Sequence, residues 1–458
     1  MRTDWSGKRV TIMGLGLFGG GVASAQYFAD RGATVLVTDK RTRDELEASI
    51  LEVDGVNVSF RLGGHEIGDF TDADLVVANP AVPPDDAFLD AARRAGVTVD
   101  AELNLFFREC AAPIVGVTGS NGKSTTAALI AHILTTAGRT CHLGGNIGRS
   151  LLGEVETIGE DDIVVLEISS FQLEYLGTER LSPHVAVVLN VRPNHLDRHG
   201  TMTAYAAVKR EIVAHQSSED VAVLNCDDEL VSAMTEATPA ETFYFSMHAP
   251  VKQGAWVEGD TVRLRIRGED ATVRGLERVK LPGRHNRENI CAAVAVAGAL
   301  DLPLNAIEDA IGSFEPLPHR QQKVTEREGV TWVNDSIATN PDSVAAALAC
   351  YEGGVILIAG GSPKNIPYDA MIDAVVNKVK LLLLIGRTGP EIETAVRATS
   401  AEPPEIIQAE TLERAVEVAR ERATPGDVVL LSPACASFDQ FRNFRERGER
   451  FIELVLDA

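Results

Sequence analysis

The residues best suited to chemistry lie in the stretch 114–126, Ile-Val-Gly-Val-Thr-Gly-Ser-Asn-Gly-Lys-Ser-Thr-Thr. A β-branched run leads into a glycine-rich turn that carries Lys123 and Ser124, and an alanine-rich helical pattern follows. Small residues let backbone N–H groups approach phosphate oxygens, the ammonium suits the β- and γ-phosphates, and the hydroxyl suits Mg²⁺. The strict pattern has glycine where this chain has Val117. The stretch nevertheless predicts a phosphate loop, with an ordinary surface turn as the alternative.

A second glycine-rich turn, Gly-Leu-Gly-Leu-Phe-Gly at 14–19, follows an apolar strand pattern, and Asp39 ends the next strand. In dinucleotide-binding folds such an acidic residue binds a ribose hydroxyl. The turn recognises only phosphate and the carboxylate only a sugar, so the pattern predicts a nucleotide-type βαβ unit with NAD as one alternative. A proline-rich turn at 79–84 follows the strand predicted at 75–78, where ligands bind in open α/β sheets.

Polar residues also follow the strands predicted in the middle of the chain. Glu167 ends an apolar run beside the phosphate loop, which is the position of a Mg²⁺ partner, with a surface carboxylate as the alternative. His195 and Asp197 lie in a polar turn and are either catalytic residues or helix caps. Lys209, in a helical pattern, has by itself the character of a solvated surface residue.

The rest of the chain predicts further α/β structure. Charged alternation over 240–280 indicates a small, exposed antiparallel flap. Asn286 and Asn289 begin a helix, either as caps or as amides facing a base edge. A proline-rich stretch at 314–320 is typical of a linker, and beyond it strands alternating with helices predict a mostly parallel sheet with polar residues at its edge.

Length and composition restrict the class of protein. A chain of 458 residues suggests about three domains. Its net charge of −23 argues against nucleic acid or an anionic membrane as the main partner. The 6 cysteines form no Cys-x-x-Cys pair, and no apolar run reaches the roughly 18 residues of a membrane span. We therefore expect a soluble cytoplasmic protein with reduced thiols, no membrane segment and no nucleic-acid partner.

Together these motifs resemble the Mur ligases of peptidoglycan synthesis, over essentially the whole chain. The resemblance rests on the segments 118–125, 145–148, 167–174, 194–198, 285–286, 317–320, 334–336 and 432–437. It implies an α/β fold of three domains: a Rossmann-like UDP-binding domain at 1–101, a central P-loop ATPase domain with a mostly parallel sheet at 102–316, and a Rossmann-like glutamate-binding domain at 317–458. Within the family, the segments Ser-Ser-Phe-Gln-Leu and Ser-Pro-Ala-Cys-Ala-Ser indicate the branch that adds D-glutamate.

The resemblance implies an ATP-dependent ligase. The carboxylate of UDP-N-acetylmuramoyl-L-alanine attacks the γ-phosphate of ATP, and the amine of D-glutamate then displaces phosphate from the acyl phosphate. The implied cofactors are ATP and Mg²⁺, or Mn²⁺ in its place, with a carbamylated lysine at Lys209. The implied partners are small-molecule substrates only, bound by a monomer.

The same resemblance implies a role for individual residues. Catalysis falls to Lys123, Lys209, His195 and Glu167, and metal binding to Ser124, Glu167, His195 and carbamylated Lys209. The implied ATP-binding residues are Gly119, Ser120, Asn121, Gly122, Lys123, Ser124, Thr125, Asn286, Arg320 and Asp335. Those for the UDP substrate are Leu17, Phe18, Asp39, Arg41, Ala81, Asn146 and Ser169. Those for glutamate are Thr339, Lys364, Ser437 and Phe444.

The chain departs from the family pattern at three places. Phe18 stands where the family often has threonine, Ala81 where it often has glycine, and Ile337 where many members have lysine. The last change removes a cation near the expected glutamate site, so a ligase that adds L-glutamate remains an alternative. Two alternatives of other classes are an NAD-dependent oxidoreductase and a nucleotide-driven switch without ligation.

Overall fold

The structure is a computed structural model that describes residues 4–16, 20–53, 57–147, 150–279, 283–363, 367–399 and 402–457, without the side chains of residues 48 and 197. Its α/β fold contains three sheets. Within these ranges no helix is both long enough and apolar enough to cross a membrane.

The first sheet is parallel and has the strand order β3-β2-β1-β4-β5 in the part of the chain that is described. Its strands are β1 (Arg9–Met13), β2 (Thr34–Asp39), β3 (Val58–Leu62), β4 (Leu75–Ala78) and β5 (Thr98–Ala101). Its helices are α1 (Gly20–Asp30), α2 (Glu47–Glu52), α3 (Gly68–Thr71), α4 (Ala87–Arg94) and α5 (Glu102–Glu109). The order in which the strands are added reverses between β1 and β4, which creates a crevice at their carboxyl ends. The predicted strand, turn, helix and strand over residues 9–39 are confirmed.

The central sheet has the order β14-β13-β12-β11-β10-β9-β6-β8-β7 over the described residues. Its strands are β6 (Ile114–Thr118), β7 (Cys141–Gly145), β8 (Ile163–Glu167), β9 (Val185–Val188), β10 (Val221–Asn225), β11 (Glu241–Ser246), β12 (Gly254–Glu258), β13 (Thr261–Ile266) and β14 (Glu269–Val273). Its helices are α6 (Lys123–Thr136), α7 (Ser170–Thr178), α8 (Leu196–His199), α9 (Met202–Ala214), α10 (Glu229–Ser232), α11 (Arg284–Ala299) and α12 (Leu304–Ser313). Strands β6 and β8 are buried along their whole length, as expected of parallel strands covered on both faces.

The predicted exposed flap over 240–280 is partly wrong. Strands β12, β13 and β14 are antiparallel, as predicted, but β11 pairs in parallel with both β10 and β12. Trp256, Val262 and Leu264 are buried. A Cβ atom on Gly298 of α11 would lie 2.7 Å from Leu264 Cδ1, so this helix packs directly on the strands. The segment therefore extends the central sheet, and its apolar residues face the core while its charged residues face solvent.

The third sheet has the order β15-β16-β20-β17-β18-β19 within the described ranges. Its strands are β15 (Gln322–Arg327), β16 (Val330–Asn334), β17 (Val355–Gly360), β18 (Val379–Ile385), β19 (Glu405–Glu410) and β20 (Val428–Leu431). Its helices are α13 (Pro341–Leu348), α14 (Asp369–Lys378), α15 (Gly389–Thr399), α16 (Leu412–Arg422) and α17 (Phe444–Leu456). All pairs are parallel except β15 with β16.

The contacts of the chain divide it into two compact units. The first unit, Met1–Arg278 with Glu288–Ser313, contains the first and central sheets. The second unit, Val279–Arg287 with Phe314–Ala458, contains the third. Each unit is described separately below.

Candidate active site

The phosphate loop connects β6 to α6 in the first unit. Gly122, the last loop residue, has φ +84°, and a Cβ atom there would lie 2.3 Å from Asn289 Oδ1. Only glycine accepts both this backbone conformation and the neighbouring amide. Ser120 N–H donates to the carbonyl of Asn190 at 3.0 Å, and Ser120 Oγ donates to the carbonyl of Arg192 at 2.9 Å. The loop is therefore held in shape by the segment that follows β9.

Lys123 begins α6 and its side chain turns back over the loop. Its Nζ donates to the carbonyls of Gly119 at 3.0 Å and Ser120 at 3.2 Å. Asn121 N–H donates to Asn190 Oδ1 at 2.9 Å, which fixes the centre of the loop. The predicted ATP-binding residues Ser124 and Thr125 are buried in the first turn of α6. The residues predicted from the glycine-rich motif thus lie together at the carboxyl end of a central strand, with a cation over the loop.

The structure explains why Val117 stands where the strict phosphate-loop pattern has glycine. Val117 is buried and lies within β6, between β8 and β9, so its side chain is part of the core of the sheet. Gly119 instead is the residue that cannot carry a side chain, because a Cβ atom there would lie 2.9 Å from the Cβ of Leu189. The tight part of the loop therefore begins two residues later than in the strict motif.

Lys209 on α9 lies behind the loop and is only 1% exposed. Its Nζ lies 3.4 Å from Thr118 Oγ1 and 4.7 Å from the centre of the Tyr205 ring. Burial lowers its pKa well below the ordinary value of a lysine, the positive charge of Lys123 lowers it further, and Glu167 opposes both. Lys209 is thus a buried amine that loses its proton far more easily than an exposed lysine.

Glu167 ends β8 beside the loop and is 3% exposed. Its Oε1 accepts a hydrogen bond from Asn146 Nδ2 at 2.7 Å, and its carbonyl accepts one from Asn146 N–H at 2.8 Å. Among the described residues, no hydrogen-bond donor contacts its Oε2 atom. A buried carboxylate oxygen without a donor is costly, and a bound cation would satisfy it.

The oxygen atoms of Glu167 and Ser124 suit magnesium, which needs few protein ligands, better than a metal that is held mainly by protein side chains. No group of three or more His, Cys, Asp or Glu that could hold a metal occurs within the described ranges. Glu167 offers one buried carboxylate oxygen and Ser124 a buried hydroxyl. Magnesium is typically held by one or two such oxygens together with phosphate oxygens and water.

His195 precedes α8 with φ +53° and is exposed. Its ring centre lies 4.9 Å from that of Phe171 on α7. The side chain of Asp197, the other polar candidate of this turn, lies outside the described part of the chain.

A second histidine of the same turn, His199, was missed by sequence reasoning. Its Nε2 lies 3.0 Å from Ser170 Oγ and its Nδ1 lies 3.3 Å from Glu174 Oε1. Its side chain is almost completely buried. The spacing from His195 to His199, one helical turn, was a signal that could have identified it.

Asp39, which is predicted to bind the UDP substrate, lies at the carboxyl end of β2 in the first sheet. Asp39 Oδ2 accepts hydrogen bonds from the N–H groups of Leu15 at 3.0 Å and Gly16 at 3.4 Å, and its Oδ1 accepts one from Arg41 N–H at 2.9 Å. The carboxylate therefore shapes the glycine-rich turn. A Cβ atom on Gly16 would lie 2.9 Å from Asn79 Nδ2, which places the turn after β4 directly against it. Leu17 and Phe18 lie outside the described residues.

Two more residues predicted for UDP binding, Ala81 and Ser169, lie in the turn after β4 and at the start of α7. Ala81 is exposed in the turn after β4, and its N–H donates to Asn79 Oδ1 at 3.0 Å. Ser169 is the N-cap of α7: its Oγ accepts from Gln172 N–H, and Gln172 Oε1 accepts from Ser169 N–H. Ser169 thus has a structural role as a helix cap, whether or not it also contacts a ligand.

The second unit carries the remaining predicted ATP residues. Asp335 follows β16 and is buried; its Oδ2 accepts from Ser432 Oγ at 2.8 Å and its Oδ1 from Gln321 N–H at 3.1 Å. Burial raises the pKa of this carboxyl to about 6, against the lowering effects of Ser432 and Arg320. Asn286 is buried in the first turn of α11. These residues are brought into one unit although they are far apart in sequence.

The predicted glutamate residues follow β16 and β20 of the same unit. Thr339 is half-buried and Ser437 is buried, and Ser437 Oγ has no hydrogen-bond partner among the described residues. Phe444 begins α17, and its carbonyl accepts from Ser336 Oγ at 2.7 Å. Lys364 lies outside the described part of the chain.

Sequence reasoning also missed Arg447 on α17, which is 1% exposed. Its guanidinium donates to Ser336 Oγ at 3.0 Å and to the carbonyls of Ser336, Cys435 and Ala436 at 2.9, 3.2 and 3.3 Å. Burial lowers its pKa to about 10. An arginine in a helical pattern rich in charged residues gives no signal that it is buried, so only the fold identifies it.

A phosphate loop in a central parallel sheet, a buried lysine beside it and two further sheets with polar edges define a nucleotide-dependent α/β enzyme. Family models match most of the chain: the Mur ligase MurD-like N-terminal domain at residues 8–100, the Mur ligase middle domain at 117–297, and the Mur ligase glutamate ligase domain at 319–435. The chain belongs to the Mur ligase family. An NAD-dependent oxidoreductase is not favoured.

Similar proteins span the same length. The chain is 42% identical over 450 residues to a UDP-N-acetylmuramoylalanine--D-glutamate ligase of Symbiobacterium thermophilum, covering 98% of each chain. It is 43% identical over 466 residues to a protein of the same name from Anaeromyxobacter dehalogenans, covering 99% of this chain and 98% of the other. The crystal structure of a UDP-N-acetylmuramate-alanine ligase from Thermotoga maritima shares the fold, with a TM-score of 0.63 at 20% identity over 98% of this chain and 99% of that one.

Proposed function

We propose that this chain is an ATP-dependent ligase that joins the amine of D-glutamate to the carboxylate of UDP-N-acetylmuramoyl-L-alanine, in the synthesis of peptidoglycan precursors. The observation that carries the proposal is the phosphate loop with Lys123 above it and Lys209 and Glu167 buried beside it. Relatives that carry the name of this ligase support the choice of substrates, because they align over nearly the whole chain.

The chemistry requires two steps because a carboxylate is a poor acyl donor. In the first, a carboxylate oxygen of the UDP substrate attacks the γ-phosphorus of ATP, the bond to the β,γ-bridging oxygen breaks, and ADP leaves. In the second, the amine of glutamate attacks the acyl carbon, loses a proton, and inorganic phosphate leaves. Lys123 brings positive charge to the loop where the first step joins two anions.

Ser124 and Glu167 would hold magnesium, which when bound supplies positive charge next to the phosphates. His195 and carbamylated Lys209 would hold a second magnesium ion. The unpaired Glu167 Oε2 and the buried Ser124 hydroxyl support the first of these sites.

Carbamylation of Lys209 is supported by the burial of its amine. Burial and the neighbouring charge of Lys123 lower the pKa of this amine, so more of it is unprotonated at a given pH than in an exposed lysine. A neutral amine attacks carbon dioxide, a C–N bond forms and one proton is released. The product is an anion in place of an amine, and an anion close to the ammonium group of Lys123 is electrostatically favoured.

The substrate assignments remain part of the proposal. Asp39, Arg41, Ala81, Asn146 and Ser169 would face the UDP substrate. The adenine nucleotide would meet Asn286, Arg320 and Asp335, and glutamate would meet Thr339, Ser437 and Phe444, with Leu17, Phe18 and Lys364 completing the sets. The domain limits at 101 and 316, a monomeric state and a cytoplasmic location belong to the same proposal.

The direct test is phosphate release from Mg²⁺-ATP by the purified protein. We expect release only when UDP-N-acetylmuramoyl-L-alanine and D-glutamate are both present, and L-glutamate serves as the stereochemical control. Lys123→Ala should abolish release while leaving the folded structure intact. Release that needs no amino acid, or that prefers L-glutamate, contradicts the proposal.

A further inference from the structure

Arg198, on the short helix α8, joins the central sheet to the turn after β4 in the first unit. Its Nη1 donates to the carbonyl of Ala81 at 3.0 Å and its Nη2 to the carbonyl of Val82 at 3.2 Å. The same guanidinium pairs with Glu174 of α7, with Nη2 2.5 Å from Oε2. The side chain is 15% exposed, and its face lies 5.0 Å from the centre of the Phe171 ring. One side chain therefore connects two elements of the central sheet to one turn of the first sheet.

The turn that Arg198 holds forms one lip of the crevice between β1 and β4. Asn79 N–H donates to the carbonyl of Met13 at 2.9 Å, and the Asn79 side chain lies against Gly14 and Gly16. Ligands of open α/β sheets bind at this switch point, outside the carboxyl ends of the strands. The position of this turn therefore influences the position of whatever binds there.

The other end of the connection lies at the proposed reaction centre. α8 begins directly after His195, and His199 Nδ1 lies 3.3 Å from Glu174 Oε1. Val82 O receives a second hydrogen bond, from Tyr175 OH of α7 at 2.8 Å. Arg198 and Tyr175 thus hold the same carbonyl from two neighbouring helices.

We propose that Arg198, paired with Glu174, is a positioning residue that fixes the turn at 79–84 relative to the helices beside the phosphate loop, and so sets the position of the UDP-sugar substrate. The inference rests on the proposed function for the identity of that substrate. Arginine suits the role because its planar fork donates to several acceptors at once, whereas a lysine ammonium is a point charge. The guanidinium is already occupied by a carboxylate and two carbonyls, so it acts through the turn.

The test compares Arg198→Ala with a matched control, Arg108→Ala. Arg108 of α5 pairs with Asp100 of β5 and with Glu179 after α7, so it also joins the first sheet to the end of α7, but through β5 and not through the carbonyls of the turn. For Arg198→Ala we expect a KM for UDP-N-acetylmuramoyl-L-alanine raised about tenfold or more, since charged hydrogen bonds are lost, with the KM for glutamate unchanged. Arg198→Lys should recover part of the loss, and Arg108→Ala should leave both constants near wild type.

A double-mutant cycle and hydrogen exchange identify the mechanism. Because Arg198 and Tyr175 share Val82 O, the effects of Arg198→Ala and Tyr175→Phe on the KM should be non-additive, while Arg198→Ala and Arg108→Ala should add. In the ligand-free protein, the amides of Ala81 and Val82 should exchange faster in Arg198→Ala than in wild type.

Three results would overturn the inference: an unchanged KM, unchanged exchange at Ala81 and Val82, or additive effects of Arg198→Ala and Tyr175→Phe. A raised KM with unchanged exchange assigns Arg198 to direct substrate contact. Absence of phosphate release by the wild-type protein contradicts the proposed function alone, because the exchange measurement still tests the positioning role.

Discussion

At the scale of single residues, Lys209 shows how burial changes chemistry. Lys209→Ala should lower activity about 100-fold, the upper range for loss of a group that supports a metal site. Short carboxylates or high bicarbonate should restore part of the activity, because these small anions can replace the missing carbamate. Phosphate release measured with and without formate checks the prediction.

The control for Lys209 is its neighbour Arg210, which is exposed on the same helix. Arg210→Ala should keep nearly full activity and should not respond to formate. If Lys209→Ala is as active as the wild-type protein, the carbamate assignment is wrong. If it is inactive and formate has no effect, Lys209 has a structural role instead.

Asp335 predicts a pH dependence of stability. Burial raises its pKa in the folded protein to about 6 from an ordinary value of 3.8. The folded state therefore binds more protons than the unfolded state between these values, so this carboxyl lowers stability as the pH rises from about 4 to 7. The change amounts to about 2 kcal/mol.

Asp335→Asn removes the titration. Relative to wild type, the free energy of unfolding of the variant should therefore increase by about 2 kcal/mol between pH 4 and 7. Any constant offset from altered hydrogen bonds to Ser432 cancels in this comparison. Denaturant unfolding at several pH values measures the difference, and a difference that stays flat or decreases with pH contradicts the raised pKa.

At the scale of elements, helix α6 provides a matched pair of glycines. Gly122 precedes the helix with φ +84° and Gly138 follows it with φ +78°. A Cβ atom on Gly122 would lie 2.3 Å from Asn289 Oδ1, whereas one on Gly138 meets nothing within 4 Å. Both alanine variants should lose about 1 kcal/mol of stability from the left-handed backbone.

Only Gly122→Ala should also impair the phosphate loop, because the buried Asn289 must move. We expect its KM for ATP to rise about tenfold or more, which is the typical effect of losing one hydrogen bond to a charged group. The Gly138→Ala variant should keep the wild-type KM for ATP. Steady-state kinetics with ATP as the varied substrate separates the two. Equal KM values for both variants would show that the contact with Asn289 is unimportant.

Elements built on local patterns were predictable from the sequence. The strand, loop and helix around Lys123 were correct because glycine spacing and apolar runs are local signals. Strands β12, β13 and β14 were predicted correctly as antiparallel but wrongly as an exposed flap, because their alternation shows a buried face without showing what covers it. Arg447 was missed, since its burial is specified by partners distant in sequence, such as Ser336. His199 was missed although its spacing from His195 was a local signal, because its contact with Glu174 is not visible in the sequence.

At the scale of the whole molecule, each of the three sheets places polar residues at the carboxyl ends of its parallel strands. Parallel strands place the residues that follow them at one edge, so Asn79, Glu167 and Asp335 each lie at the carboxyl end of a strand. A reaction with three substrates needs three such edges. The net charge of −23 does not prevent anion binding, because positive charge is concentrated locally at groups such as Lys123 and Arg320.

The division into two units predicts how the chain unfolds. Most contacts lie within Met1–Arg278 with Glu288–Ser313, or within Val279–Arg287 with Phe314–Ala458, so each unit has its own core and should unfold cooperatively. Scanning calorimetry should therefore resolve two transitions.

Asp335→Asn should shift only the transition of the second unit at pH 7. Arg108→Ala, which removes ion pairs with Asp100 and Glu179, should shift only the other. A single transition that moves in both variants would mean that the units unfold together.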